Sequence, residues 1–414
     1  LCSFAYMQKP TDFTYDIAVI GGGIVGLASA YKLQQSYPHL SIIIFEKEEQ
    51  LAVHQTGRNS GVIHSGLYYR PGSYRAKNCV SGREQLVAFA KEHNIEHDVC
   101  GKVVVAVTEE ELPRLDEIKE TGLANGLEGI ERIDAKRLRE IEPFVEGIAA
   151  LWVPQAGIID FVGVTNKLAE LVVQINPNSR IETACEVKQL TKGETTVLHT
   201  SKGDFFAQKL IFCGGLHSDR LARKDQVKLD VRIVGFRGDY YDLSLKGKNK
   251  VRNLAYPVPN PEFPFLGVHF TRMTDGTIEC GPNAVFTFKR EGYGKTDFSL
   301  KDTLEALLYK GTWKLFLRHW RFGLKEYRRA FSKRLFLKEL NRMIPSLTMD
   351  DIEPGRSGVR AMALGGDGEV FDDFKIEYKD NSIHVLNAPS PAATACLAIG
   401  DEVKAMAEKQ FKLQ

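Results

Sequence analysis

The chain has 414 residues, 43% hydrophobic and 26% charged, which are the fractions of an ordinary globular protein. Wholesale disorder is therefore excluded, and the length suggests two or three domains. Fifty-five basic residues against 53 acidic ones leave +2, too little for a general nucleic-acid binder, so no nucleic-acid partner is expected.

The charge is unevenly spread. Lys310 to Arg342 holds eleven Lys and Arg against two Glu, a local +9 that leaves −7 on the rest of the chain. Seven cysteines (Cys2, Cys79, Cys100, Cys185, Cys213, Cys280, Cys396) are odd in number, scattered and free of any Cys-x-x-Cys pair. That pattern disfavours a zinc ribbon, a thioredoxin-type site and a disulfide scaffold, and reads most simply as reduced thiols. His93, His97 and Cys100 have helical-looking spacing, but no fourth ligand is near, so a solvated helix end is expected and no metal site. The apolar, uncharged run Ile17 to Tyr31 is broken by three consecutive glycines and is shorter than the ~18–20 residues of a membrane span. The chain begins at Leu1 rather than Met, so the native start, with any targeting peptide, is expected upstream.

In chain order, Tyr15 to Ile20 reads as a short buried strand. It runs into Gly21-Gly22-Gly23-Ile24-Val25-Gly26, a G-x-G-x-x-G, and then into a helix from Leu27 to Leu33. A second strand, Ser41 to Phe45, ends in Glu46, 20 residues after Gly26. Gly21 permits the tight turn, Gly23 lets the backbone approach a pyrophosphate, and Gly26 lets the helix pack on the strand. The helix N-terminus faces the phosphates, and Glu46 is placed to accept hydrogen bonds from a ribose diol. FAD and NAD both suit this element. Val53 to Tyr69, dense in small and hydrogen-bonding residues with Val62 and Ile63 in its middle, suits a loop threading past a ring system, which favours FAD. Helices are expected over Cys79–His93, Glu109–Asn125 and Val164–Gln174. Strands are expected over Lys102–Val107, Glu186–Leu190, Thr195–Thr200, Val231–Asp239, Gly267–Thr271 and Thr277–Cys280. Lys209 to Gly215, an apolar strand ending in Cys213 and Gly214, suits the carboxyl edge of the first sheet under a cofactor. The strand-rich stretch 226–290, with the Asp275-Gly276 turn, suggests an antiparallel sheet.

From 301 to 342, Leu304, Leu307, Leu308, Trp313, Leu315, Phe316, Trp320, Phe322, Phe331, Leu335, Phe336 and Leu340 interleave with Lys and Arg. This suits a helix lying on an anionic bilayer. It suits equally a helical hairpin packed on the sheet with its charges in water.

The two long motifs carry a family resemblance. The order of features resembles the FAD-dependent amino-acid-oxidase-like superfamily. His54 to Gly57, Asn59 to Gly66, Leu266 to Thr271, Gly281 to Ala284 and His384 to Thr394 are similar to the signatures of L-2-hydroxyglutarate dehydrogenases within it. The similarity spans Tyr15 to about Ala407, with Arg58 departing from the His of several members. It implies an α/β FAD-binding Rossmann-type domain (1–95, 150–222 and 350–414) and a discontinuous α+β substrate domain (96–149 and 223–349) containing the antiparallel sheet. It further implies FAD as cofactor and oxidation of L-2-hydroxyglutarate to 2-oxoglutarate, with electrons passed to a membrane quinone or flavoprotein and a mitochondrial, inner-membrane-associated location. An amine-oxidising relative of the glycine or sarcosine oxidase type is the alternative, and a flavin-binding membrane protein without turnover is a third reading.

Within that frame the expected cofactor contacts are Gly21, Gly23, Gly26 and Glu46; Thr56, Asn59, Ser60, Ser65 and Gly66 in the loop; Val187, Cys213 and Gly214; and Asn387, Ala388 and Ser390 near the C-terminus, where a helix starts at Ala392. Hydride removal from a hydroxyl-bearing carbon also needs a base and a cation to orient the α-carboxylate. Arg360 is the first choice for the carboxylate, since a guanidinium binds it bidentately, with Arg356 able to exchange roles. His64 and His269 lead as the base, and His384 either serves it or braces its loop. His269, Asn387 and Pro389 are expected to join Arg360 around the small 2-hydroxy diacid.

Overall fold

The computed structural model describes residues 13–259 and 267–413; Cys2, and Leu266 at the head of the middle motif, lie outside the described residues. The first apolar run forms the strand Thr14–Ile20, with Ile17, Ala18 and Val19 fully enclosed. Burial on both faces is the mark of a central parallel strand. It is flanked in parallel by Ile42–Phe45 and by Gly203–Phe212. Arg180–Glu182 extends the sheet beyond the former and Ser382–Asn387 beyond the latter, again in parallel. Ile20 aligns with both Phe45 and Phe212, and Phe212 with His384, so four strands share one carboxyl edge. Val187–Thr191 and Thr196–Thr200 add an antiparallel meander to Gly203–Phe212, and Lys375–Lys379 pairs antiparallel with Ser382–Asn387.

Helices Ile24–Ser36, Phe161–Ile175 and Cys396–Phe411 join this sheet in one core. Val164, Leu168 and Val172, one helical face, pack with Leu27, Leu33, Leu397 and Ile399 around Ile17 and Val19. Each such buried Leu or Ile stabilises by roughly 1.5–3 kcal/mol relative to exposure. The last helix begins at Cys396 rather than Ala392. Ala392 to Ala395 are held in turns instead, the Ala392 N–H bonding to the Pro389 carbonyl at 2.9 Å.

Among the described residues the second sheet has nine strands. Its longest pair is antiparallel, Val231–Leu243 with Ile352–Gly365, running from Val231 opposite Gly365 to Leu243 opposite Ile352. The path continues through Ile278–Gly281, His269–Arg272, Leu254–Pro257, Lys102–Ala106, Ala149–Val153 and Glu131–Asp134. Leu254–Pro257 pairs in parallel with Lys102–Ala106. A small third sheet, Val62–Ile63 with Gly157–Ile159 and His97–Asp98, anchors the loop that follows the second strand.

The stretch 301–342 folds as Leu300–Leu307, Lys310–Ala330 and Lys333–Leu340, with Lys310–Ala330 kinked at His319 (φ −119°, ψ 25°). One side packs inward: Leu315 against Val234, Phe236, Phe286 and Leu364, and Phe336 against Tyr241. Trp313, Leu317, Trp320 and Leu324, at spacings of four, three and four residues, stay exposed as one stripe. No helix among the described residues is long and apolar enough to cross a membrane. His93 packs edge-on to Phe89, and His97 Nδ1 lies 2.7 Å from the Ile95 carbonyl; with Cys100 they form no ligand cluster among the described residues.

Candidate active site

The turn after the first strand is built from glycines for steric reasons. Gly21 has φ +123°, and a Cβ there would overlap the Cys213 carbonyl; a Cβ on Gly26 would overlap the Gly21 carbonyl. Gly23 is different, since its Cβ would meet only Thr56 Oγ1, at 3.4 Å, and the approach to the helix N-terminus is open. Thr56 Oγ1 accepts the Ile24 N–H at 3.1 Å. Glu46 accepts the N–H groups of Gly22 and Glu48, each at 3.0 Å, which fixes its carboxylate at the carboxyl end of Ile42–Phe45.

From this edge a cavity of ≈ 1580 Å³ runs between the two large sheets, larger than the roughly 300–1,000 Å³ of a single small-molecule site. Gly21, Gly23, Glu46, Thr56, Asn59, Ser60, Val187, Cys213 and Gly214 line it, as do Asn387, Ala388, Pro389 and Ser390 and, at its inner end, His64, His269 and Arg360. Gly26, Ser65 and Gly66 do not. Gly26 serves helix packing. The chain leaves the cavity after His64, where the positive φ of Gly66 (+102°) turns it toward Asn125, whose Nδ2 bonds the Gly66 carbonyl at 2.9 Å.

Several lining side chains are committed to bracing. Asn59 bonds the carbonyls of Gln55 and Thr56 and accepts the Gly61 N–H. Asn387 Nδ2 bonds the carbonyls of Phe371 (2.9 Å) and Asp373 (2.8 Å). Thr394 Oγ1 accepts the His64 N–H and donates to the Val62 carbonyl, each at 3.1 Å, tying the C-terminal turns to the loop. Arg356 pairs with Glu279 and donates to the carbonyls of Gly57 (2.8 Å) and Asn59 (2.6 Å). Three partners hold its guanidinium and it lies off the cavity wall, which places Arg360, and not Arg356, at the site. His384 is buried, stacked on Phe212 at 4.4 Å and bonded to Asp225 at 2.8 Å, which makes it a brace.

At the inner end, Arg360 lies on Ile352–Gly365 opposite Phe236, beside the Tyr240 hydroxyl. His269 is buried with Nδ1 2.8 Å from the Gly267 carbonyl, and Tyr256 stacks on it at 3.9 Å. That bond requires a proton on Nδ1, which leaves the lone pair on Nε2. Burial pushes the His269 imidazole down to about 3; the Gly267 bond opposes it, and the smaller effects of the Arg360 and Lys102 charges add to it. His64, half-buried with its exposed part on the cavity, is pushed to about 3 by burial and by Lys102, His269, Arg75 and Arg360. Both rings are neutral at physiological pH. Lys102, 1% exposed, was not singled out in the sequence. The signal was a lysine heading the apolar run Val103-Val104-Val105.

Toward the outer end, Glu48, His54 and Glu291 present three ligand atoms within 4.8 Å of one another. Lys47 Nζ already occupies that group, at 2.8 Å from Glu48, 3.1 Å from His54 and 2.5 Å from Glu291, so a cation is in place. Burial raises the Glu291 carboxyl, but the bonds from His217 and Lys47 outweigh it and hold it at about 2.

The fold and this cavity define a nucleotide-cofactor oxidoreductase, and comparison with known proteins specifies which. Residues 16–406 match the DAO family of FAD dependent oxidoreductases, and the chain belongs to that family. Its relatives include the L-2-hydroxyglutarate dehydrogenase of Indibacter alkaliphilus, 47% identical over 402 residues (96% of this chain, 100% of the relative). The mitochondrial L-2-hydroxyglutarate dehydrogenase of Nematostella vectensis is 42% identical over 417 residues (96% and 91%). Among solved structures, FAD-bound L-α-glycerophosphate oxidase from Mycoplasma pneumoniae superposes with a TM-score of 0.78 at 24% identity, covering 97% of this chain and 96% of that one. Glycine oxidase from Geobacillus kaustophilus gives 0.71 at 16% identity (96% and 95%). These two likenesses speak to the fold alone.

The residues present fit FAD. The open Gly23 and the helix N-terminus suit the pyrophosphate, the fixed Glu46 carboxylate the ribose, and the small residues Cys213, Gly214 and Ala388 the passage of a flat ring.

Proposed function

We propose that the chain oxidises L-2-hydroxyglutarate to 2-oxoglutarate, the α-carbon losing a hydride and the hydroxyl a proton. The observation that carries this reading is the cluster of cations around His64 at the inner end of the cavity: Arg75 and Arg360 on its wall, and Lys102 behind Tyr68 and Tyr256. Such a field suits a dianion and opposes an ammonium-bearing substrate, so nothing in the site favours the glycine or sarcosine oxidase alternative. Bound FAD supplies the two-electron acceptor for the hydride. Arg360 holds the α-carboxylate and thereby sets the direction of the C–H bond. His269 Nε2 takes the hydroxyl proton, a role supported by the Gly267 bond that fixes the tautomer and by the Tyr256 stack that fixes the ring. The substrate's two carboxylates offset the cations around the imidazoles, so proton affinity rises when the base is needed. Single-turnover assays should release one 2-oxoglutarate per flavin; release of ammonia would sink the reading.

Electrons pass, in this proposal, to a quinone or other acceptor at a membrane. Lys314, Arg318, Arg321, Lys325 and Arg328 form an exposed basic stripe beside Trp313, Leu317, Trp320 and Leu324, the arrangement of a helix lying in an anionic lipid surface. The mitochondrial address is supported only by eukaryotic relatives bearing that name. The two-domain division is supported by the separate strand sets, with a change of bounds: Ala149–Val153 and Ile352–Gly365, which the ranges 150–222 and 350–414 would give to the FAD domain, pair in the antiparallel sheet and go to the substrate side.

A further inference from the structure

Behind two tyrosines of the cavity wall lies a charge that chemistry at the α-carbon leaves unused, the buried Lys102. Lys102 Nζ lies 4.6 Å from the ring centroid of Tyr68 and 4.9 Å from that of Tyr256, and both tyrosines line the cavity. Among the described residues Lys102 forms no ion pair with a carboxylate. The hydroxyls of Tyr68, Tyr256 and Thr271 are buried; Tyr256 and Thr271 are neighbours, yet none of the three makes a hydrogen bond of proper geometry within the protein. Burying an ammonium without a counter-charge is costly, and so is burying phenols without acceptors. Together these groups form the complement of a carboxylate: one cation and two or three unengaged O–H donors, in a region where Arg360 and Lys102 both act on His269.

We propose that Lys102 and the hydroxyls of Tyr68 and Tyr256 form the subsite for the distal carboxylate of a five-carbon 2-hydroxy diacid, and that this subsite sets the preference for diacids over monocarboxylates. The inference rests on the substrate reading above and adds which residues hold the far end. Burial pushes the Lys102 ammonium down to about 7 against a smaller opposing effect from Cys79, and an arriving carboxylate restores its proton.

The test compares L-2-hydroxyglutarate with L-2-hydroxyvalerate, which carries a methyl where the diacid has its distal carboxylate. The holoenzyme, K102M and Y68F are assayed on both, and glutarate affinity is read from perturbation of the flavin spectrum. K102M should lower the diacid-to-monoacid ratio of kcat/KM about 100-fold and weaken glutarate to a similar degree. Y68F, the milder change, should lower the ratio about tenfold, and it decides the question if K102M does not fold. Equal losses on both acids, with glutarate affinity kept, would overturn the subsite while leaving the substrate reading intact. A wild-type enzyme without diacid preference would overturn the substrate reading itself, and the subsite with it.

Discussion

The rings of Tyr256 and His269 lie 3.9 Å apart and within 23° of parallel, and the same tyrosine carries Lys102 on its ring at 4.9 Å. One aromatic side chain therefore links the proposed base to the buried cation. Tyr256 is on Leu254–Pro257 and His269 on His269–Arg272, which are paired antiparallel strands, so the stack is set by sheet register and not by a mobile loop.

Replacing His269 with Asn should lower kcat by roughly 10²–10⁴-fold while flavin content is unchanged. His64→Asn should cost less in kcat, because its Nε2 faces Ser390 Oγ at 3.4 Å at the C-terminal turn. Stopped-flow flavin reduction on both variants checks this, and a larger defect in the His64 variant would reverse the assignment.

The two arginines of Ile352–Gly365 should separate cleanly. Arg360→Ala should cost far more in hydroxyacid turnover than in FAD content. Arg356→Ala removes the ties to Glu279, Gly57 and Asn59 and should lower both FAD content and Tm. Flavin-to-protein absorbance ratios and thermal melts measure the difference.

The histidines also predict a pH dependence of stability. Their folded values near 3 lie below the ordinary 6.5, so between pH 6.5 and 3 the unfolded chain takes up protons that the native one refuses. Stability contributed by the neutral rings is present above pH 6.5 and is lost progressively as pH falls toward 3. Denaturant midpoints from pH 7 to 4 should drop, and less steeply in a His64→Gln, His269→Gln double variant.

Charge on the kinked helix should control membrane binding. Changing Lys314, Arg318, Arg321 and Lys325 to Gln should reduce sedimentation with anionic liposomes about tenfold or more, with the wild-type binding itself falling as salt rises. Sedimentation that ignores both salt and the substitutions would remove the membrane proposal.

What the sequence could disclose follows from how local each signal is. Gly21 is legible because a positive φ and a carbonyl contact exclude every other side chain there, and Glu46 because its place follows from a strand, a turn and a helix of standard length. The strands at 102–106, 231–243 and 278–281 were legible from β-branched, apolar runs. Choosing between Arg356 and Arg360 was not, since four residues apart in a regular strand they would share a face, and what separates them is a register shift opposite Asp239–Tyr241 and their partners Glu279 and Tyr240. Ser65 and Gly66 look like the rest of their loop, and the turn that takes them off the cavity is set by packing against Asn125. Lys102 was hidden for a similar reason: its burial depends on Tyr68 and Tyr256, 34 and 154 residues away in the chain.

FAD-linked oxidation of one enantiomer of a 2-hydroxy diacid can be watched by anaerobic flavin spectroscopy. The purified holoenzyme is mixed separately with L- and D-2-hydroxyglutarate under nitrogen, and the flavin absorbance near its visible maximum is followed. The L form should bleach the flavin rapidly and the D form not at all. Bound flavin that neither enantiomer bleaches would contradict it.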